Sequence, residues 1–123
     1  MWQAGRVLIY KLLSGAQWRA ARAAGEFLGS AVDLADGYVH FSTAEQVVET
    51  AARYFTGQTD LALLTVDAEP LGEHLRWEPS RGGALFPHLY AALPVSAVVA
   101  DVVLPSDRPV DVAVADALGG MAG

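Results

Sequence analysis

Three histidines, His40, His74 and His88, are the side chains of this chain that change charge near neutral pH without help from their surroundings. His40 lies two residues before Ser42 and Thr43 at the expected start of a helix, where free backbone N–H groups and the helix dipole favour an anion. His88 lies in the segment from Trp77 to Tyr90, which also holds Glu78, Arg81, Gly82, Gly83 and Phe86. Glu78 beside Trp77 is a candidate general base, or a holder of a ribose hydroxyl, because desolvation against an aromatic face raises a carboxylate's proton affinity. The competing use of Glu78 is an ion pair with Arg76 or Arg81. Arg81 offers five donors next to the accessible backbone of Gly82 and suits a phosphate or carboxylate. Trp77, Phe86 and Tyr90 make a candidate stacking wall for a flat ring, with core packing competing for at least one of them. The candidate catalytic groups are thus His40, His88 and Glu78. The candidate ligand contacts are Ser42, Thr43, Trp77, Arg81, Gly82, Phe86 and Tyr90.

Other chemistries lack their residues or their spacing. There is no cysteine, which removes disulfides, thiolate zinc sites and thiol nucleophiles. The histidines show no His-Glu-x-x-His pair or comparable ligand spacing, so no metal is expected. A Gly-x-Ser-x-Gly elbow, a Walker loop and a dinucleotide glycine loop are also missing. Eight basic against fourteen acidic residues give a net charge of −6, which repels phosphate backbones at long range and disfavours general nucleic-acid binding. A small molecule is the expected partner. The first residues lack a basic stretch followed by an apolar core and a small-residue cleavage site, and no apolar run approaches bilayer length. A cytoplasmic protein with no membrane association is expected.

The elements that must position these groups follow from local pattern. At 123 residues, 53% of them hydrophobic, the chain suits one folded domain, here placed at 1–105, with 106–123 as a tail that is either a short helix or disordered. Val7 to Leu12 reads as a first strand, and Ser14 caps a helix that carries Trp18 and stops at Gly25. Phe27 to Asp36 reads as a connecting loop. A short strand, Tyr38 to Phe41, leads to a capping box of Ser42 and Glu45, then to a helix whose Val47, Val48, Ala51, Ala52 and Phe55 repeat at helical spacing until Gly57. Leu61 to Val66 and Val98 to Leu104 are continuous apolar runs, read as strands covered on both faces. Between them, Pro79, Gly82, Gly83 and Pro87 predict an irregular, shaped loop from Trp77 to Tyr90.

Two segments carry a family resemblance: Asp36-Gly37-Tyr38-Val39-His40-Phe41-Ser42-Thr43, and Trp77-Glu78-Pro79-Ser80-Arg81-Gly82-Gly83 with Phe86-Pro87-His88-Leu89-Tyr90. With Ile9-Tyr10-Lys11 preceding them in order, the chain resembles the small bacterial domain-of-unknown-function family nine-five-two from about Ile9 to Leu104. That family is similar in fold to the ADP-ribosyltransferases and the RNA 2′-phosphotransferases. The resemblance therefore implies an α+β fold, ADP-ribosylation-like, with a small split mixed β-sheet core and two main helices around a nucleotide cleft. It places His40 in that cleft and implies NAD, ADP-ribose or a phosphorylated nucleotide as ligand, with NAD as a substrate and no cofactor required. The implied activity is an ADP-ribosyl- or phospho-transferase, and the alternative is a non-catalytic binding or regulatory module on the same fold. The match departs at one point. Where ADP-ribosyltransferases carry a late glutamate that grips the nicotinamide ribose, the comparable region here offers His88, so either Glu78 substitutes from the loop or the activity follows the phosphotransferases.

Overall fold

The computed structural model describes residues 6–122, apart from the side chains of Arg81 and of residues 120–122. Strand β1 (Leu8–Ser14) is followed by helix α1 (Gly15–Ala24), strand β2 (Glu26–Phe27), helix α2 (Ala31–Asp36), strand β3 (Val39–His40) and helix α3 (Ala44–Tyr54). The second half contains β4 (Leu61–Asp67), β5 (Leu75–Pro79), β6 (Leu85–Leu89), β7 (Leu93–Pro94), β8 (Val98–Val103) and α4 (Val110–Ala122). The strands form three small sheets, in the orders β1-β4-β8, β2-β7 and β3-β6-β5. The sheet is split as expected, but every described pairing is antiparallel rather than mixed. Among the described residues a single bridge stitches the two larger sheets together, with Tyr10 N–H donating to Ser42 O at 2.7 Å and Ser42 N–H to Tyr10 O at 2.9 Å.

The central sheet is apolar on both faces because β1 and β4 alternate between two cores. Ile9, Leu13, Ala62, Leu64 and Val66 face one cluster with Trp18, Phe27, Val39 and Leu89. Tyr10, Leu12, Leu61 and Leu63 face the other, closed by Val47 and Ala51 of α3 and by Val110, Ala113 and Val114 of α4. The tail beyond residue 105 thus supplies a third long helix, whose Val110, Ala113 and Val114 are spent on this core. Leu61 to Val66 is buried on both faces as expected, whereas β8 is an edge strand with Val99, Asp101 and Val103 outward.

Three local readings need correction. The stretch from Phe27 to Asp36 is not a plain loop: Ser30 and Asp33 form a capping box that starts α2, and Gly37 ends it in the left-handed region at φ 89°. The first helical cap after β3 is Thr43 with Gln46, not Ser42 with Glu45, and Thr43 N–H donates to Gln46 Oε1 at 3.0 Å. Ser42 is instead drawn to Tyr10 by the bridge between sheets. The segment from Trp77 to Tyr90 is a β-hairpin, with Ser80 N–H donating to Ala84 O at 2.9 Å across a turn whose Gly82 and Gly83 have φ of 66° and 85°. Both prolines fit this hairpin. Pro79 ends an edge strand, and Pro87 turns its backbone toward β3, where its carbonyl accepts from Phe41 N–H and the ladder stops, so its missing N–H costs no bond to β5.

Candidate acid–base site on the β3-β6-β5 sheet

Alternation along the short strands selects which side chains share a face. His40 pairs with His88 in register, Arg76 pairs with His88 and Glu78 pairs with Phe86, so these five side chains point to one side of the sheet. Tyr38 and Tyr90 continue the same face two residues beyond His40 and His88. Trp77 pairs with Pro87 on the opposite face, so it stands apart from the imidazoles and does not join Tyr90 in a stacking wall. Phe86 shares the site face but is buried. Gly82 lies in the hairpin turn, and the side chain of Arg81 lies outside the described residues.

Each imidazole on this face has a carboxylate at Nδ1. His40 Nδ1 lies 2.6 Å from Asp33 Oδ1, and His88 Nδ1 lies 2.8 Å from Glu78 Oε1. The second nitrogen of His40 faces Asp36 Oδ2 at 2.9 Å, so this ring donates to both carboxylates only as the cation. Nε2 of His88 has no hydrogen-bond partner among the described residues. The two ring centroids are 5.6 Å apart, and Tyr38 covers both, stacked on His88 at 4.1 Å and tilted to His40 at 4.6 Å. Tyr90 lies 5.3 Å from Tyr38, donates its hydroxyl to Glu78 Oε1 at 2.8 Å, and carries the Arg76 guanidinium 5.1 Å over its ring.

Behind His40 is a buried ion pair. Lys11 projects from the core face of β1 between the rings of Phe27 and Phe41, and its ammonium donates to both oxygens of Asp33, at 3.2 and 2.9 Å. Asp33 also accepts from the backbone N–H groups of Ser30 and His40, at 2.9 and 3.1 Å. Burial works to neutralise Asp33, but the hydrogen bond from His40, the Lys11 charge and the Ser30 amide outweigh it and hold the carboxyl far below the usual range. For Lys11 burial wins over its partner, and the ammonium is lowered from its ordinary value. Glu78 is held down by the hydrogen bonds from His88 and Tyr90. Tyr38 is raised by desolvation and then by the Asp36 and Glu78 charges, and Tyr90 is raised first by its bond to Glu78.

Ser42 and Thr43 are spent elsewhere. The Ser42 hydroxyl is buried against Thr50 Oγ1 at 2.9 Å, and Thr43 caps α3. Among the described residues no group of three or more His, Asp or Glu side chains is arranged to hold a metal ion. No helix among them is long and apolar enough to cross a membrane.

The family model described as "Protein of unknown function (DUF952)" matches residues 12–101, which run from within β1 to within β8 and include every group of the paired-imidazole face, though not Lys11 behind it. The chain belongs to the DUF952 family. Its fold is similar to the crystal structure of protein CC0527 from Caulobacter crescentus, at 60% identity over 84% of this chain and 90% of that one, with a TM-score of 0.80. The solution NMR structure of CC0527 is similar at 58% identity, covering 85% and 91% of the two chains, with a TM-score of 0.74. No curated protein matches the chain. Within this DUF952 chain, residue types alone single out His40, His88, Glu78 and Tyr90, and the fold brings these four together. Lys11, Asp33, Asp36 and Tyr38 join them without having been singled out. The available signal for Asp33 was Ser30 with an acidic residue three positions on, which is a capping pattern. For Lys11 it was a lone cation inside an apolar strand, which needs a buried partner.

Proposed function

We propose that the face of β3, β6 and β5 binds a nucleotide-like ligand, NAD, ADP-ribose or a phosphorylated nucleotide, and that the chain acts on it as an ADP-ribosyl- or phospho-transferase. The supporting observation is the pair of imidazoles in register, 5.6 Å apart, each with a carboxylate at Nδ1. A carboxylate on Nδ1 orients the ring and leaves Nε2 as the nitrogen that exchanges a proton, so two such rings side by side suit one proton removed and one returned. His40 and His88 take these roles here. Glu78 orients His88 and is the carboxylate available to a ribose hydroxyl, which answers the lack of a later glutamate. Arg76, and Arg81 from the hairpin turn, provide the charge for a phosphate. Tyr90, rather than Trp77, is the stacking ring. NAD is then a substrate, and no further cofactor is required.

The test combines binding and turnover. Imidazole resonances of His40 and His88 are followed by NMR during addition of NAD, ADP-ribose and a 2′-phosphorylated nucleotide, and nicotinamide release and phosphate transfer are assayed on wild type, His40→Ala and His88→Ala. Perturbation of both rings, with turnover lost in either variant, is the expected result; silence at both rings with every ligand sinks the proposal. Two observations favour the second reading, a non-catalytic binding module. Nε2 of His40 is already occupied by Asp36, and Tyr38 lies over His88. Ligand perturbation of both rings without any turnover is what that reading predicts.

A further inference from the structure

The rings of the site face converge on Tyr38, whose neighbours are His88 at 4.1 Å and 27°, His40 at 4.6 Å and Tyr90 at 5.3 Å. Beneath it the His88 side chain is only 4% exposed, yet its Nε2 lacks a partner among the described residues, although buried polar groups normally find one. Asp36, on the other side of Gly37, covers Nε2 of His40. The two covering side chains therefore flank one glycine. The backbone here is fixed, because the N–H groups of Gly37 and Tyr38 both donate to Asp33 O, at 2.9 and 3.2 Å, so any movement of the Tyr38 ring is a rotation of its own side chain.

We propose that the place held by the Tyr38 ring is a binding subsite for a planar ring bearing N–H donors, an amide- or amino-substituted heterocycle, which Tyr38 fills in the free protein and vacates by rotation of its own side chain. The subsite rests on the proposed function for the acid–base role of His40 and His88, and it assigns the ring half of the ligand to this position. Its floor is the His88 imidazole and its sides are His40 and Tyr90, which accept a π-face. Its rim carries the carboxylates of Asp36 and Glu78, 45% and 34% exposed. Carboxylates accept hydrogen bonds from ring N–H groups and repel a phosphate, so a ring enters here and a phosphate does not.

The probes are adenine and nicotinamide as bare rings and ribose 5-phosphate as a phosphate without a ring, added to the full chain and followed by NMR. Either ring compound should shift the His88 imidazole and move the Tyr38 ring protons toward their positions in an unstacked tyrosine, while ribose 5-phosphate leaves Tyr38 in place. Tyr38→Ala removes the internal competitor and should bind the ring compounds about two- to tenfold more tightly, the span that one aromatic stack represents, with Tyr38→Phe close to wild type. If Tyr38→Ala does not fold, the wild-type Tyr38 shift decides alone. The subsite is overturned if neither ring compound binds, if Tyr38 stays stacked at saturation, if ribose 5-phosphate displaces it, or if Tyr38→Ala binds more weakly. Perturbation of His40 and His88 by NAD with Tyr38 still stacked removes the subsite and leaves the proposed function standing. Displacement of Tyr38 by bare rings, with NAD and phosphorylated nucleotides neither bound nor turned over, does the reverse.

Discussion

Asp33 links the core to the chemistry, because one carboxylate is shared between a buried ammonium and a half-buried imidazole. Removing its charge strands Lys11 among Phe27 and Phe41 without an anion. Asp33→Asn is expected to cost about 3–5 kcal/mol in urea unfolding, the scale of a broken buried pair. Its pH dependence has a definite sign. The folded pKa of Asp33 lies below the unfolded value of about 3.9, so its contribution is fully present above that pH and is lost as pH falls below it toward the folded value. Acid unfolding followed by tryptophan fluorescence should therefore lose part of its pH dependence in Asp33→Asn. A second residue-scale test concerns Tyr90, whose ionisation Glu78 opposes by hydrogen bond and by charge. In Glu78→Gln, ultraviolet titration should show a tyrosine ionising at lower pH than in wild type. Residue types pointed to His40, His88, Glu78 and Tyr90 because imidazoles, carboxylates and phenols have few uses. They could not separate Trp77 from Tyr90, since which face each takes depends on the register of the hairpin.

At the scale of elements, α2 and the β5–β6 hairpin carry the site, and by local sequence pattern both have the look of loops. Helix α2 spans Ala31–Asp36, too short for a visible apolar period, and its signal lies in its caps, Ser30 with Asp33 at one end and Gly37 at the other. The hairpin was hidden by Pro79 and Pro87, which argue against strands until it is known that one lies at an edge and the other where the ladder ends. Capping was more legible elsewhere: Ser14 does accept from Gln17 N–H at 3.0 Å, as the start of α1 required. Gly37→Ala tests the left-handed stop of α2 at this level. An alanine at φ 89° meets no atom within 4 Å, so its expected cost of about 1–2 kcal/mol is backbone strain rather than a clash. Thermal unfolding measures that cost.

At the scale of the whole molecule, α4 closes the second core, with Val110, Ala113 and Val114 packed against the face that β1, β4 and α3 share. Val114→Ala should cost about 2–3 kcal/mol, from lost burial plus a residual cavity. A chain ending at Pro105 should bind a hydrophobic dye and unfold at a lower temperature, because Leu61, Leu63, Val47 and Leu104 lose their cover. Read by itself, the chain determined the strand β1, the helices α1 and α3, the doubly covered strand β4 and the family. Each of these is set by the period of apolar residues, by a cap within a few positions, or by an ordered pair of short motifs. Only the tertiary structure decided that Lys11, Asp33 and His40 form one chain of contacts, that His88 and Glu78 stand beside it, and that Tyr38 covers both imidazoles. Those groups lie far apart in sequence, and their meeting depends on strand register and on where the split sheet is stitched at Tyr10 and Ser42, which no local pattern specifies.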